Sequence, residues 1–209
     1  GSNAGSGDAT KKLEASNTVS IGSFAKASGE NGVAMGYVSV ASGIGSIALG
    51  KSAEATDQRA IAMGENARAG NEASMALGYN SSAKGSKQVS VGLGAGALKN
   101  VTDSGAELAT FVGHYAGADN AAATGNAQGV AVGVNAGRYG VAGIRNVAVG
   151  SNTGQTVNGN DNTSIGYNSG RSVEGSGNLS GGLNSGVFLK GNNNVALGSN
   201  SGNGVAAKA

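Results

Sequence analysis

The chain has 209 residues, with 40 glycines and no proline, cysteine or tryptophan, and its 14 Lys and Arg nearly balance its 12 Asp and Glu. The absence of cysteine excludes disulfides, thiol catalysis and Cys-ligated zinc. The scattered, balanced charge gives no reason to expect nucleic-acid binding, which requires a dense basic patch. In chain order, Gly1–Ala4 has the sequence of a cloning remnant, and we expect residues 1–16 to be this remnant and an N-terminal lead-in.

From residue 17 onward, a short apolar strand that ends in glycine recurs. Six such glycines are spaced by 14 residues, from Gly22 to Gly92, and a fixed period of this kind predicts a solenoid of stacked coils. The positions one and three before each glycine are large and apolar, which is the alternation expected of a strand. We predict that these side chains fill the core of the roll: Val19, Ile21, Val33, Met35, Ile47, Leu49, Ile61, Met63, Met75, Leu77, Val89 and Val91.

The second half of each unit predicts a second strand. Positions three and five after the glycine are always Ala or Ser, so we expect small side chains here to oppose the large ones of the first strand. Coils stacked about 4.8 Å apart then form an all-β parallel β-roll over residues 17–97. Position seven after the glycine is predicted to be a turn with positive φ: Gly29, Gly43, Asp57, Asn71 and Gly85.

The middle residue of the first strand is small in every one of the six units. A strand that faced water there would carry Lys, Glu or Thr, so uniformly small residues indicate that another surface approaches closely. A thin roll buries little apolar area alone, which favours association of chains through this column. The predicted inter-chain residues are Ser20, Ala34, Ala48, Ala62, Ala76 and Ser90.

After Gly92 the period loosens and then settles at 16 residues. We divide this part into an insert-containing transition, 98–129, and a region of longer 16-residue repeats, 130–209. Gly181 replaces a large residue and predicts the weakest coil. An asparagine two residues after the glycine recurs and predicts a side-chain amide ladder: Asn135, Asn152, Asn168, Asn184 and Asn200.

The run Ser46–Thr56 and its counterpart at 60–70 resemble the YadA-like head repeats of trimeric autotransporter adhesins. This resemblance implies a left-handed parallel β-roll in a homotrimer, so the small-residue column would be the trimer interface. It also implies a position on the outer surface of a Gram-negative bacterium, within a longer secreted protein whose C-terminal part anchors it in the outer membrane. Heads of this family bind collagen, fibronectin, laminin or cell-surface receptors without catalysis.

The remaining motifs give no enzyme, cofactor or metal hypothesis. His114 is the only histidine, and no motif places an acid or a nucleophile beside it. We interpret the segment 159–163 as a turn rather than a cation site. The inserts 98–110, 117–129 and 171–178 break the repeat and are the predicted places for ligand specificity. The predicted aromatic ligand contacts each follow a repeat glycine: Tyr37, Tyr79 and Tyr167.

Two function classes therefore remain open. One is a multivalent adhesin head, in which repetition raises avidity by about 10²–10⁴ without any strong single contact. The other is a trimeric phage tail fibre or another surface-presented structural β-solenoid. Hexapeptide-type acyltransferases are disfavoured because their six-residue period does not divide a 14-residue coil.

Overall fold

The computed structural model describes residues 16–97, 107–118, 127–139 and 141–204, and within these ranges the protein is a solenoid of parallel strands. Strands are numbered along the chain. The long sheet contains, in spatial order, β1 (Val19–Ile21), β3 (Val33–Met35), β5 (Ile47–Leu49), β7 (Ile61–Met63), β9 (Met75–Leu77), β11 (Val89–Val91), β12 (Thr110–Val112), β13 (Val130–Val132), β14 (Val147–Val149), β16 (Thr163–Ile165), β18 (Leu179–Gly181) and β19 (Val195–Leu197).

Two smaller sheets lie on the other side of the coils. The short sheet contains β2 (Lys26–Ala27), β4 (Val40–Ala41), β6 (Glu54–Ala55), β8 (Arg68–Ala69) and β10 (Ser82–Ala83). Farther along, β15 (Val157–Asn158) pairs with β17 (Val173–Glu174).

The strand register confirms the predicted repeat. Val19 pairs with Val33, and each later pair up to β11 keeps the same 14-residue step. The transition is longer, since Val89 pairs with Thr110. From β14 to β19 the step is 16 residues, as in the pairing of Val147 with Thr163. The twelve strands of the long sheet are those that precede the twelve predicted glycines.

The small residues in the middle of the long-sheet strands lie inside the single chain. Four of them are alanines with no exposed surface, and Ser20 is half-buried with its Oγ accepting a hydrogen bond from the backbone N–H of Ala27 at 3.0 Å. Together with the alanines of the short sheet they form one continuous core. The prediction of a trimer interface at this column is therefore wrong: Ser20, Ala34, Ala48, Ala62, Ala76 and Ser90.

The large residues of the same strands lie on the outer face of the long sheet. Ile21 is 52% exposed, and none of the twelve side chains is buried. Successive side chains of a strand point to opposite faces, so placing the small residue inside forces both of its neighbours outward. The prediction that these residues form the core is also wrong: Val19, Ile21, Val33, Met35, Ile47, Leu49, Ile61, Met63, Met75, Leu77, Val89 and Val91.

The turns also differ from the prediction. Positive φ occurs at the repeat glycine and at two and nine residues after it, as at Gly36 (135°), Val38 (56°) and Gly45 (64°). Position seven is not among these sites. A Cβ on Gly43 would lie 1.9 Å from the carbonyl oxygen of Asp57, so crowding between adjacent coils, and not the φ angle, favours glycine there.

The 16-residue coils add two buried columns. Val141, Val157, Val173 and Leu189 form a separate apolar cluster. Beside it runs an interior ladder of asparagines that sequence reasoning missed. In each step an asparagine donates two hydrogen bonds to the Oδ1 of the asparagine 16 residues before it. Its Nδ2 donates at 2.9–3.1 Å and its backbone N–H at 3.0 Å. The ladder comprises Asn146, Asn162, Asn178 and Asn194.

The predicted outer ladder is present at three of its four steps. Side-chain amide bonds of 3.2 Å join Asn135 to Asn152, Asn168 to Asn184, and Asn184 to Asn200. All five asparagines of this ladder have φ between 50° and 57°, a conformation that asparagine tolerates better than most residues.

The interior packing can be tested with Ala62→Leu. Because Ala62 is fully enclosed between the two sheets, the larger side chain should lower the free energy of unfolding by about 1–3 kcal/mol, measured by urea denaturation at fixed protein concentration. The control is Ile61→Leu on the outer face, which should cost less than about 1.5 kcal/mol. Equal stability of Ala62→Leu and the native chain would contradict a close-packed interior.

The interior ladder can be tested with Asn162→Ala. Asn162 bonds Asn146, the carbonyl of Gly175 and both the backbone and side chain of Asn178, so truncation leaves buried groups unpaired. We expect a loss of about 1–3 kcal/mol or more in unfolding free energy. The control is Asn168→Gly in the outer ladder, which keeps the positive φ and should cost less. A larger loss in the control would show that the outer ladder is the more important one.

Candidate interaction surface

The outer face of the long sheet is a continuous apolar strip, called here the apolar face. Each of the twelve strands contributes two outward positions, and all are apolar aliphatic or Met except Thr110, Thr163 and Gly181. At about 4.8 Å per strand, the strip is roughly 50 Å long. Contiguous apolar patches larger than a few hundred Å² are uncommon on soluble monomers and mark interaction sites.

Several side chains of the apolar face are as exposed as ordinary surface residues. On strands with a neighbour on both sides, Met63 is 41% exposed and Ile165 48%. Their exposure results from the thin interior, which has no room for them. The fold therefore concentrates its bulky aliphatic groups on one outer surface, where they bury area only if another surface covers them.

The opposite side of the roll is polar. The outward residues of the short sheet include Lys26, Glu54 and Arg68, with Glu54 Oε2 lying 3.4 Å from Arg68 Nε. This ion pair joins adjacent coils and lies in water. The protein thus presents an apolar face on one side and a charged face on the other.

Further ion pairs connect neighbouring coils along the turns. Lys51 Nζ lies 3.0 Å from Glu65 Oε1, and this hydrogen bond raises the pKa of Lys51. Arg145 binds both carboxylate oxygens of Asp161, at 2.6 and 2.8 Å. The bond raises the pKa of Arg145 and lowers the pKa of Asp161. These exposed pairs favour the charged form of both groups and link successive coils.

The three predicted ligand-contact tyrosines lie at the turn that follows each long-sheet strand. Tyr37, Tyr79 and Tyr167 are each about half exposed, at 52%, 49% and 51%. The ring of Tyr37 makes an edge-to-face contact with Phe24, with centroids 6.2 Å apart. The structure brings Tyr37 together with Phe24, which sequence reasoning missed. A ligand role for the tyrosines stays a prediction.

A second aromatic group surrounds Arg138. Its guanidinium lies 4.4 Å from the ring centroid of Tyr115 and 4.5 Å from that of Tyr139. His114 is exposed and lies beside Tyr115, with ring centroids 4.4 Å apart. These cation–π contacts link the turns of adjacent coils.

The remaining predicted sites are the segment 159–163 and the three inserts. In the segment 159–163, Asp161 binds Arg145, and Asn160 Oδ1 accepts a hydrogen bond from the backbone of Ile144. No group of three or more potential metal-ligating side chains is found among the described residues. Most of the predicted inserts 98–110 and 117–129 lies outside the described residues, whereas 171–178 contains β17.

The described ranges contain no helix with the length and apolar character needed to cross a membrane.

A comparison with protein-family models finds the YadA head domain repeat (2 copies) at residues 14–39, 41–67 and 69–87. Residues 14–87 are therefore similar to YadA head repeats. Strands β1–β10 lie between residues 14 and 87, with Val40 and Arg68 in the one-residue gaps of the match, and the apolar face continues beyond them to β19. No curated protein matches the chain.

Proposed function

We propose that this protein is the head of a trimeric autotransporter adhesin that attaches a Gram-negative bacterium to host extracellular matrix or cell surfaces. The observation that carries the proposal is the apolar face running along a YadA-like head. Heads of this family belong to surface-exposed adhesins, which accords with a rigid repetitive rod. Binding, and not catalysis, is the proposed activity.

The proposed assembly is a homotrimer of left-handed rolls whose apolar faces meet around a common axis. A second copy of the same chain fits this face because it carries the same spacing of strands and the same uncharged aliphatic side chains. Three copies in a closed ring cover all three apolar faces without leaving one open. In this arrangement the large-residue columns form the interface. The small-residue column takes no part in it, because it is already buried within each chain.

The proposed ligand contacts lie on the surfaces that stay outside such a trimer. They include the turns that carry Tyr37, Tyr79 and Tyr167, together with the outer side of the short sheet. Collagen, fibronectin, laminin and cell-surface receptors are the proposed partners. Each coil offers few contacts, but repetition along the rod and across three chains multiplies them, which raises avidity without a strong single site.

The assembly is tested by Ile47→Asp. This substitution places a carboxylate in the middle of the apolar face, where burial between chains without a partner is costly. We expect sedimentation to show a trimer for the native chain and a shift to monomer for the variant, with the circular dichroism of the roll retained.

The matched control is Val40→Asp, which introduces the same charge into a strand on the opposite side of the roll. It should sediment as the native trimer. Dissociation of both variants, or of neither, would contradict the assignment of the apolar face as the trimer interface.

Adhesion is tested by binding the purified protein to immobilised collagen, fibronectin and laminin. The variant in which Tyr37, Tyr79 and Tyr167 are all replaced by Ala should bind the recognised matrix protein at least about tenfold more weakly, because repeated contacts act together. The control is Phe188→Ala, which removes an aromatic side chain that is 60% exposed. Unchanged binding by the triple variant would exclude the tyrosines, and failure of the native protein to bind any surface would contradict matrix adhesion.

A further inference from the structure

All three methionines of the chain lie on the apolar face. Met35 is in β3, Met63 in β7 and Met75 in β9. Each occupies one of the two outward positions of its strand, so its thioether lies outside the roll. The three sulfur atoms therefore share one surface, over a length of about 15 Å along the sheet.

The methionine sulfur atoms are accessible in the single chain. Met35 is 40% exposed and Met63 41%, and Met75 is half-buried. The chain has no cysteine, so these thioethers are its only sulfur-containing side chains. Peroxides convert a methionine thioether to a sulfoxide, which turns a flexible apolar side chain into a polar one.

The strands beside each methionine offer only apolar side chains. Every residue in register with a methionine in the two neighbouring strands is aliphatic: Ile21 and Leu49 for Met35, Leu49 and Leu77 for Met63, and Ile61 and Val89 for Met75. None of these side chains can donate a hydrogen bond. A sulfoxide oxygen formed here therefore depends on water for its hydrogen bonds.

Assembly would remove that water. In the proposed trimer the apolar face is covered by other copies of the chain, which bring the same aliphatic side chains and no hydrogen-bond donors. A polar group buried without a partner is costly, whereas a thioether packs well against aliphatic groups. The reduced and oxidised forms of the methionines thus differ most in the free energy of association.

We propose that oxidation of Met35, Met63 and Met75 by a peroxide controls assembly of this protein: the thioether form associates, and the sulfoxide form associates weakly. An oxygen atom passes from the peroxide to the lone pair of the sulfur. The O–O bond breaks and an S–O bond forms, so sulfur loses two electrons and hydrogen peroxide becomes water. Methionine sulfoxide reductases reverse the change. The inference rests on the trimer proposed above and adds a means of regulation to it.

The same contact protects the methionines once the trimer has formed. Peroxide then reaches the sulfur atoms only in chains that have not yet assembled or have dissociated. The control therefore acts before assembly, and a completed trimer resists it.

The main test oxidises the full chain with hydrogen peroxide in urea and then removes both reagents. A reference sample passes through the same steps without peroxide and should refold to the trimer. We expect the oxidised chain to regain the circular dichroism of the roll, because its interior contains no methionine. In sedimentation it should need a protein concentration at least about tenfold higher to form the trimer. Treatment with methionine sulfoxide reductase should restore the behaviour of the reference.

Two triple variants separate the methionines from other oxidised groups. Replacing all three by Leu keeps apolar side chains of similar volume and removes the sulfur atoms, so this variant should form the trimer with or without peroxide. Replacing all three by Gln gives side chains of similar length with a polar end. This variant should associate as weakly as the oxidised chain without any peroxide.

Protection by assembly is measured on folded protein. Mass spectrometry should show slower oxidation of the methionines in the native trimer than in the Ile47→Asp variant, which we expect to be a folded monomer. Equal oxidation rates would contradict burial of the methionines between chains.

An oxidised chain with the concentration dependence of the reference would overturn the proposal and leave the trimer standing. Equal peroxide sensitivity of the native chain and the leucine variant would overturn it too, since another group would then be responsible. Loss of the circular dichroism of the roll on oxidation would show that the methionines support the fold and not the contact. A monomeric reference would contradict the trimer itself, so the two failures are distinguishable.

Discussion

The narrow gap between the two sheets is the constraint on which the rest of the structure depends. A 14-residue coil with two short strands leaves space inside for methyl and hydroxymethyl groups, and the core is built from Ala and Ser accordingly. Strand alternation then gives the large residues no place except outside. An apolar outer surface is thus a direct consequence of a thin interior, and the chain can bury it only against another surface.

Sequence reasoning predicted the repeat, the strands and the twelve coils, because a fixed period and an alternating pattern need no knowledge of the third dimension. It assigned the wrong face to the interior. Alternation shows that Ala62 and its neighbours Ile61 and Met63 point in opposite directions, but it does not say which direction is inward. We placed the large aliphatic residues inside because such residues usually lie in protein cores. The narrow coil reverses that preference, so the predicted core was wrong.

The two asparagine ladders show a second limit of prediction from the sequence. The outer ladder was predictable because its asparagines stand between repeat glycines, in a turn signature that favours positive φ. The inner ladder at Asn146, Asn162 and Asn178 precedes the strands, where a polar residue resembles an ordinary turn residue. Its amides can be buried because they bond one another and the backbone of adjacent coils. Which polar residues find such partners is a three-dimensional property that spacing alone does not supply.

The division between the two sides of the roll has consequences for how such a rod can change. In the proposed trimer, a residue on the apolar face must match the copies that cover it, so a charge there would be unfavourable in any coil. A residue on the short-sheet side contacts its neighbours in adjacent coils, and this outward position is Lys26, Glu54 or Arg68 in different coils of the same sheet. In the proposed adhesin, ligand contacts on the polar side could therefore differ from coil to coil without disturbing the proposed assembly.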